Sequence, residues 1–555
     1  MANRKLISKS SYLIYRQCPK YFWYYINDKK SIPGHDPRAK FNFKIGHIIG
    51  NLAKLRYKDG IEAGIEGNLD DNLKRTRNLL DLRKPLFGAG FVSREENVTK
   101  QAAVDLYARA DILVPANGSR PAIITDPAID PVSDCPGRFP GKSWDIVEVK
   151  SSTGVKAVTI YDVAFQKYCY LKAGLDIRNV YVMHINSEYI RNGELDPFSI
   201  FKLVEVSEEV DRVLPHIKND LRQMMRIISS DDIPETGVGK FCDSPFNCPL
   251  KARCWEHVSD KSIFYLYSIT NKIARRMNDC GIEYIHEIPE GFSGINYKQK
   301  IQIDCVKNSR SWVDKPAIAD FLNKIEYPLY FLDFETFASP VPLIENTRPY
   351  QNIPFQFSLH IARTPECSPE HFSFLADGKS DPRKELTEAL KEKLGVTSGE
   401  DGIQAFTGSV IVYDESFERS VLRDLAAFNS SDTGWIFMVA SRIVDLFDPF
   451  KNFYFYDVSQ KGSASIKKVL PSLTEKSYKD LPIANGDIAS ISFLEGSALW
   501  KDFISANNPG TTGGRENIVE EIDEQIKTIR QNLEDYCKLD TEGLYHILQK
   551  LKKLA

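Results

Sequence analysis

The pattern of hydrophobic and polar residues predicts short buried strands that alternate with helices in the N-terminal half of the chain. Residues 107–114, 144–152 and 180–186 alternate or stay apolar over lengths typical of strands. Residues 160–174 have helical periodicity and end at Gly174, a residue type that commonly ends helices. Strands that alternate with helices indicate an α/β fold.

A second series of elements begins at residues 327–337, where apolar residues surround two acidic ones. A strand at 411–414, a helix directly after it, and a last helix over 516–553 are predicted downstream. Residues 260–326 have charged helical periodicity and no recognisable motif. We therefore predict three parts, which are an N-terminal domain at 1–258, a helical connector at 259–320 and a C-terminal domain at 321–555.

The composition is typical of a soluble globular protein with several domains. The chain has 555 residues, of which 42% are hydrophobic and 26% are charged. It has no apolar run long enough for a membrane span and no N-terminal signal segment, so we expect a cytoplasmic protein without a membrane partner. The 72 Lys and Arg residues balance 75 Asp and Glu residues, which excludes a uniformly basic surface but not a local basic groove. Stretches rich in Pro, Gly and Asn at 115–143 and 507–514 are predicted as loops.

A first group of candidate catalytic residues lies in the N-terminal half. Glu148 and Lys150 are two residues apart on a predicted strand and therefore share one face, and Asp111 lies on the preceding strand. Carboxylates that share a face are costly to bury unless a cation such as Mg²⁺ binds them. A neighbouring lysine can orient or deprotonate water for phosphodiester hydrolysis. An ordinary solvated Glu–Lys pair is the alternative.

This half resembles the RecB/Cas4-like branch of the PD-(D/E)xK nucleases, which have a restriction-endonuclease-like fold. The resemblance implies that the histidine, aspartate and glutamate of the motifs bind Mg²⁺ or Mn²⁺. It also implies that both acids and the lysine take part in catalysis, and that a glutamine and a tyrosine contact DNA. The long separation between the aspartate and the glutamate departs from the family pattern. The matching positions, in family order, are His47 in G-H-x-x-G, Asp111, Glu148 and Lys150 in E-V-K, and Gln166 with Tyr170 in Q-x-x-x-Y.

Four of the ten cysteines form a candidate thiolate site. Cys242, Cys248 and Cys254 have the spacing C-x5-C-x5-C, and Cys18 lies in a C-P-x-x-(F/Y) context. In the RecB/Cas4-like family one early and three late cysteines hold a [4Fe–4S] cluster, and the resemblance implies the same here, although the first gap is wider than usual. Zinc in the same thiolates, or free buried cysteines, are the alternatives. The others are predicted to be ordinary single cysteines, namely Cys135, Cys169, Cys280, Cys305, Cys367 and Cys537.

A second acidic group lies in the C-terminal half. Asp333 and Glu335 share one face of an apolar strand, Glu418 lies on a predicted helix, and Tyr536 and Asp540 share a helix face at i, i+4. Converging carboxylates suit a two-metal site for phosphodiester cleavage, in which a tyrosine hydroxyl can position water. A solvated acidic surface is the alternative, although the apolar neighbours place the strand residues near a core.

This half resembles the tyrosine-bearing DEDD exonucleases of the ribonuclease H-like fold. The resemblance implies that the four carboxylates bind metal and that Tyr536 is catalytic. Glu418 stands where the family has an aspartate, and Asp445 is a nearby alternative ligand. More narrowly, the phrases YFLDFET, RIVDLFDPF, IKKVLPSL and DYCKLDTEGL resemble the bacterial domain DUF2779. Together the two halves resemble predicted RecB-family nucleases that fuse both domains.

A weaker signal is the aromatic segment 453–456 beside Lys451, Lys467 and Lys468. Such a group can stack bases and hold phosphates. Clustered aromatic residues are also typical of a half-buried strand, which is the alternative.

The leading hypothesis is a Mg²⁺- or Mn²⁺-dependent nuclease with two phosphodiesterase centres, acting as a DNA exonuclease in repair or defence. The expected partner is DNA that is single-stranded or has free ends, and RNA is also compatible. One alternative is a nucleic-acid-binding scaffold in which one centre, first of all the C-terminal one, is inactive. Another is a subunit that binds small molecules or proteins and merely retains the folds.

Overall fold

The chain forms two compact units, which a computed structural model describes over most of their length. The first unit comprises Met1–His257 and Pro340–Tyr350, and the second comprises Val258–Ser339 and Gln351–Ala555. The segment predicted as a connector, 259–320, therefore belongs to the second unit. The described residues are 5–64, 68–96, 103–116, 142–395, 397–398, 404–507 and 519–555.

Some sequence predictions concern residues that are not described. Cys135 and most of the loops predicted at 115–143 and 507–514 lie outside the described residues. Among the helices that are described, none has an apolar stretch of the length that a bilayer crossing needs.

A mixed sheet is the framework of the first unit. Its strands are β1 (Leu6–Ser8), β2 (Ile61–Glu62), β3 (Leu86–Glu96), β4 (Ala103–Pro115), β5 (Trp144–Lys150), β6 (Ile177–Ile185) and β7 (Phe201–Glu205). Their order is β2-β3-β4-β5-β6-β7, and β1 pairs with β4. β5 is antiparallel to β4 and parallel to β6. The strands predicted at 107–114, 144–152 and 180–186 are confirmed as β4, β5 and β6.

One buried helix organises the core of this unit. The helices are α1 (Lys9–Gln17), α2 (Pro19–Asn27), α3 (Pro37–Lys54), α4 (Leu69–Leu79), α5 (Ala157–Lys172), α6 (Ser207–Ser229) and α7 (Lys251–Trp255). α5 packs on β3 and β4, where Phe165 and Tyr168 share a core with Leu106 and Ala108. Gly174 follows the helix with a φ of +86°, which glycine adopts without strain. The predicted helix is therefore confirmed, including its glycine end.

A second mixed sheet supports the second unit. The strands are β8 (Trp312–Val313), β9 (Leu329–Phe337), β10 (Ile353–Ala362), β11 (Glu370–Leu375), β12 (Thr397–Ser398), β13 (Gln404–Ala405), β14 (Ser409–Val412), β15 (Ile443–Asp445) and β16 (Phe455–Tyr456). The main sheet has the order β11-β10-β9-β14-β15. β9 is antiparallel to β10 and parallel to β14, and β15 is parallel to β14. The strand predicted to open this half is confirmed as β9, at the centre of the sheet.

The second unit has helices on both faces of this sheet and in the helical part before β9. They are α8 (Asn271–Asp279), α9 (Tyr297–Asn308), α10 (Lys315–Leu322), α11 (Arg383–Leu394), α12 (Glu415–Phe428), α13 (Thr433–Ser441), α14 (Asp448–Lys451), α15 (Ile466–Leu473), α16 (Gly486–Gly496), α17 (Ala498–Asn507) and α18 (Val519–Leu554). Leu332 and Phe334 of β9 pack in one core with α11, α12 and α13. Alternation along β9 turns Asp333 and Glu335 to the opposite face, against which α18 packs. The fold thus places both acids between a central strand and the last helix.

The helical part before β9 has a small apolar core of its own. Ile263, Leu266, Met277 and Ile285 are buried in this core, and they come from α8 and from short turns beside it. The helical character predicted for residues 260–326 is confirmed.

Candidate metal centres

β5 presents the acidic and basic residues of the first unit on one face, as their two-residue spacing predicts. Lys150 Nζ lies 2.6 Å from Glu148 Oε1. Glu148 is 1% exposed, and Gln166 Nε2 donates a 2.8 Å hydrogen bond to its other oxygen. Asp111 on β4 accepts a 2.8 Å hydrogen bond from the Val149 main-chain N–H. The structure therefore brings four of the predicted residues together around β5.

Two residues that the sequence analysis missed complete this group. Lys9, the first residue of α1, places its Nζ 2.7 Å from Glu148 Oε1, so both lysines pair with the same oxygen. Asp162 on α5 accepts hydrogen bonds from Lys150 Nζ at 2.7 Å and from Gln166 Nε2 at 3.2 Å. The position of Asp162, one helical turn before Gln166, was an available signal. No local pattern relates Lys9 to a residue 139 positions away.

The charges of this first group nearly cancel. Burial alone would raise the pKa of Glu148, but Lys150 and Lys9 hold it well below its ordinary value. Burial also opposes the charged form of Lys9, yet Asp162 and Glu148 raise its pKa. Burial and the neighbouring Glu148 raise the pKa of Asp111 to about 6. Three carboxyl groups therefore lie beside two ammonium groups. The negative charge of Glu148, the most buried of the three, is already offset by Lys9 and Lys150.

The remaining residues predicted for this site have other surroundings. His47 is exposed on α3, and among the described residues no histidine belongs to a group of three ligand atoms within 4.8 Å. Tyr170 is fully buried, where its hydroxyl accepts from the Ala110 N–H at 2.7 Å and donates to the Ala89 carbonyl at 2.6 Å. Gln166 is also fully buried. Metal binding by His47 and DNA contacts by Gln166 and Tyr170 stay predictions.

Three carboxylates converge in the second unit. They belong to Asp333 and Glu335 on β9 and to Asp540 on α18, and their oxygens lie within 4.8 Å of one another. No other group of three His, Cys, Asp or Glu ligand atoms in the described parts of the chain is as compact. Glu335 and Asp540 are each 7% exposed. The structure therefore brings together three of the four carboxylates that the sequence analysis singled out here.

Two tyrosines and one thiol lie against these carboxylates. Tyr478 donates a 2.6 Å hydrogen bond to Asp540 Oδ1. Tyr536 is a second tyrosine that lowers the pKa of this carboxyl group. Cys537, predicted to be an ordinary single cysteine, places its sulfur 3.4 Å from Asp333 Oδ2. The i, i+4 spacing predicts the approach of Tyr536 to Asp540. Tyr478 lies 62 positions away in the sequence, and no pattern indicates its role.

The carboxyl groups of this second site resist ionisation. Burial raises the pKa of Asp333 and of Glu335 well above their ordinary values, and repulsion among the carboxylates adds to both shifts. Burial raises the pKa of Asp540 to about 6, although the Tyr478 hydroxyl opposes the shift. Buried carboxylates without compensating charge are costly, and a divalent cation that accepts oxygen ligands removes this cost. The donor set fits Mg²⁺ or Mn²⁺.

Glu418, unlike Asp445, interacts electrostatically with Asp333 and Glu335. Glu418 is 2% exposed on α12, and its Oε2 has no hydrogen-bond partner among the described residues. Burial raises its pKa well above the ordinary value, and Asp333 contributes to the shift. Asp445 instead accepts hydrogen bonds from the N–H groups of Asp414 at 2.9 Å and Phe447 at 3.0 Å. An unpaired buried oxygen beside other carboxylates fits a metal ligand, which stays a prediction for Glu418.

Lys467 on α15 supplies a cation to the second site. Its Nζ donates a 2.5 Å hydrogen bond to the Ala484 carbonyl and lies 5.7 Å and 5.5 Å from the ring centroids of Tyr478 and Tyr536. The sequence groups this lysine with the aromatic segment 453–456. Three side chains of that segment are buried, and Phe455 and Tyr456 form β16, which favours the alternative of a strand over base stacking.

The four cysteines predicted as ligands lie near one another in the first unit. Cys18 caps the start of α2, and its sulfur accepts a hydrogen bond from the Tyr21 N–H. Burial raises the pKa of Cys18, and Cys242 and Cys254 add to the shift. Burial likewise raises the pKa of Cys248 to about 12, with the other three thiols contributing. All four are described, and no three of their sulfurs lie within 4.8 Å of one another. Binding of a [4Fe–4S] cluster by these four cysteines therefore stays a prediction.

Comparisons with known proteins identify a domain in the second unit. Residues 330–465 match the Domain of unknown function (DUF2779). The chain is 28% identical over 205 residues, 32% of its length, to the Uncharacterized protein MG366 homolog of Mycoplasma pneumoniae (strain ATCC 29342 / M129 / Subtype 1). It is 24% identical over 212 residues, 34% of its length, to the Uncharacterized protein UU173 of Ureaplasma parvum serovar 3 (strain ATCC 700970). Each match spans 29% of the relative's length. The second unit therefore contains a DUF2779 domain, as the sequence phrases predict, and this domain includes Asp333, Glu335 and Glu418.

Proposed function

We propose that the second unit is a divalent-metal-dependent phosphodiesterase that shortens nucleic acids from their ends. One observation carries the proposal, which is the convergence of the Asp333, Glu335 and Asp540 carboxylates, of which the last two are buried. Glu418 interacts electrostatically with Asp333 and Glu335, and its buried Oε2 has no hydrogen-bond partner among the described residues. Carboxylates gathered in this way suit Mg²⁺ or Mn²⁺, which at such a site supply an activated water and steady the leaving oxygen.

The residues of the chain itself supply positioning. Asp333 and Glu335 are held on a central strand, where they cannot move apart without disrupting the sheet. Tyr478 fixes one oxygen of Asp540 through its hydrogen bond. Tyr536 is buried on the same helix as Asp540, one turn before it, and it also lowers the pKa of this carboxyl group. These contacts support the catalytic role that the sequence predicts for Tyr536.

The topology of the second sheet supports the same proposal. The acidic strand β9 is central, with an antiparallel hairpin on one side and two parallel strands on the other. This mixed order is compatible with the ribonuclease H-like fold that the sequence resemblance implies. Since the DEDD exonucleases that the sequence resembles work from the 3′ end, we propose 3′-to-5′ polarity.

The proposal for the first unit is a second metal-dependent centre of the RecB/Cas4-like type. Asp111, Glu148 and Lys150 support it because they lie together around β5. A nucleic-acid-binding role without chemistry is the second candidate for this unit. It is favoured by the pairing of both Lys9 and Lys150 with Glu148, which leaves that carboxylate with less need of a cation.

The cysteines are proposed to hold a [4Fe–4S] cluster, with zinc as the alternative. A tetrahedral zinc site with 2.3 Å bonds requires sulfurs about 3.8 Å apart. No three of the four sulfurs, all of them described, lie within even 4.8 Å, which favours a larger group. Anaerobically purified protein should therefore be brown, and Cys248→Ser should bleach it. Colourless protein with stoichiometric zinc would contradict the cluster.

The nuclease proposal is tested on end-labelled DNA and RNA, single-stranded and duplex, with Mg²⁺ or Mn²⁺. Wild-type protein and the Lys150→Met variant should both release nucleotides from the 3′ end. Asp333→Asn introduced into Lys150→Met should reduce this activity to background, because it removes a ligand of the second site. Asp535→Asn is the matched control, since Asp535 is exposed on the same helix as Asp540. Unchanged cleavage after Asp333→Asn, or no metal-dependent cleavage by wild-type protein, would contradict the proposal.

A further inference from the structure

The wall of the second site that lies beyond the DUF2779 match is built by residues of the 467–486 segment. Tyr478 and Lys467 on α15 come from this segment. Tyr478 donates a hydrogen bond to Asp540, and the charge of Lys467 interacts with Asp540 and Glu335. A Cβ atom built on Gly486, the first residue of α16, would lie 3.4 Å from Glu335 Oε2. The acidic site is therefore closed on this side by residues that the family match at 330–465 does not include.

Among the described residues, the Lys467 ammonium group forms no ion pair with a carboxylate. Its Nζ donates to the Ala484 main-chain carbonyl, and the neighbouring rings of Tyr478 and Tyr536 have their centroids 5.7 Å and 5.5 Å away, on the same side of the ammonium group. An ammonium group has three donors, so two remain after the bond to the carbonyl. This contrasts with Lys9 and Lys150 of the first unit, whose ammonium groups bond directly to Glu148.

The charge of Lys467 acts on the whole acidic site. Within the described residues, it is the only cation among the groups that shift the pKa of Asp333, Glu335 and Asp540. Burial lowers the pKa of Lys467 itself, whereas Asp540 and Glu335 oppose the shift. The residue is half-buried.

A phosphodiester substrate needs such a group. Each phosphate carries a negative charge, which a site with four carboxylates repels wherever metal charge does not offset it. A lysine acts as a point charge for phosphate, and it serves best when no carboxylate already holds it. An anchored lysine with free donors at the edge of the site meets both conditions.

We propose that Lys467 binds a phosphate of the nucleic acid strand next to the bond that is cleaved. This inference rests on the proposed function of the second unit and adds a substrate contact to it. Lys467 is a substrate-binding residue in this account, and Tyr478 and Tyr536 hold it over the site. Lys468, the next residue of α15, is exposed and provides a matched control.

The test measures binding of a short single-stranded oligonucleotide with Ca²⁺ in place of the reactive metal, over a range of salt concentrations. All variants carry Lys150→Met, so that the first unit contributes equally. Lys467→Met should weaken binding by about tenfold. It should also reduce the slope of log K against log salt by about 0.7, the value for one phosphate contact on a single strand. Lys467→Arg should restore the slope, and Lys468→Met should leave it unchanged.

Mn²⁺ affinity separates substrate binding from a structural role. Removing a cation beside a metal site should leave Mn²⁺ affinity equal or tighter in Lys467→Met, whereas a collapsed site would bind Mn²⁺ more weakly. An unchanged salt slope in Lys467→Met, or weaker Mn²⁺ binding together with lower thermal stability, would overturn the inference. If protein with an intact second site neither binds nor cleaves the oligonucleotide, the proposed function itself fails. If the protein cleaves the oligonucleotide but Lys467→Met leaves the salt slope of binding unchanged, phosphate binding by Lys467 is contradicted and the proposed nuclease function is not.

Discussion

The first unit buries Glu148 between two lysines. The second unit instead gathers the buried Glu335 and Asp540 and the half-buried Asp333 beside a lysine whose hydrogen bond goes to a main-chain carbonyl. The pKa of Glu148 is consequently held below its ordinary value by Lys150 and Lys9, in spite of burial. Burial and mutual repulsion instead raise the pKa values of the carboxyl groups in the second unit. The two sites therefore differ in the placement of their lysines more than in the number of carboxylates. In the first unit the lysines offset the charge of Glu148, whereas in the second unit a bound cation is needed to offset the charge of the carboxylates.

The two sites look alike in the sequence, where each has an acidic residue two positions from another charged residue on a strand. Only the contacts made by distant elements separate them. The two sites should therefore respond differently to added metal, to pH and to single substitutions. Each of these responses can be measured, and equal responses of the two sites would contradict the difference between them.

The largest expected effect is selective stabilisation of the second unit by Mn²⁺ at pH 7. A ligand present at 1,000 times its Kd stabilises the folded state by about 4 kcal/mol. Hydrogen–deuterium exchange should show this as slower exchange in β9 and α18, with a smaller change in β5. If Mn²⁺ slowed exchange in β5 and β9 equally at every concentration, selective metal binding by the second unit would be contradicted.

Without metal, the second unit should lose more stability than the first as the pH rises from 4 to 7. The raised pKa of Asp540, about 6, means that the folded second unit holds a proton that the unfolded chain releases. Its contribution to stability is present near pH 4 and is lost as the pH rises through about 6, and two pKa units correspond to about 3 kcal/mol. The lowered pKa of Glu148 contributes stability at neutral pH that is lost as the pH falls.

Exchange rates of β9 and β5 measured between pH 4 and 7 in a chelator check this expectation. In this range Asp111, whose pKa is raised to about 6, is the carboxyl group of the first unit that titrates. Exchange in β5 should therefore also become faster as the pH rises, but less so than in β9, where Asp333, Glu335 and Asp540 all have raised pKa values. If the exchange rates of β9 and β5 changed by equal amounts over this pH range, the lysines would not account for the different pKa values of the two acidic sites.

Single neutralising substitutions should change the stability of the metal-free protein with opposite signs. Glu148→Gln removes the shared partner of Lys9 and Lys150 and should destabilise the first unit by about 2 kcal/mol. Asp540→Asn removes a charge from an uncompensated site and should stabilise the metal-free second unit. Chemical unfolding followed by unit-specific exchange measures both changes. Glu208→Gln and Asp535→Asn, at exposed positions, are the controls. Destabilisation of the second unit by Asp540→Asn would contradict this assignment.

Tyr478→Phe should have the smallest effect. It removes the 2.6 Å hydrogen bond to Asp540 Oδ1, which is worth about 1 kcal/mol. Mn²⁺ affinity of the second site should fall about fivefold, because the carboxylate loses the group that orients it. Tyr297→Phe is the control, since Tyr297 is 65% exposed. Equal Mn²⁺ affinity in wild type and Tyr478→Phe would remove Tyr478 from the positioning residues.

The elements that carry both sites could be predicted from the sequence, because strand and helix periods are local properties. The alternation around Glu148 and around Asp333 indicates β5 and β9, and the i, i+4 spacing places Tyr536 near Asp540. Lys9 and Tyr478 could not be predicted. Their contacts arise from packing between elements that lie 139 and 62 residues apart, which no local pattern encodes.

The central claim is that the acidic site of the second unit binds a divalent cation more tightly than the acidic site of the first. Titration of the full chain with Mn²⁺, with free Mn²⁺ followed by electron paramagnetic resonance, tests it directly. The tightest class of sites should disappear in the Asp333→Asn, Asp540→Asn double variant and persist in Glu148→Gln. If the tightest class survives in the double variant and is lost in Glu148→Gln, the account is contradicted.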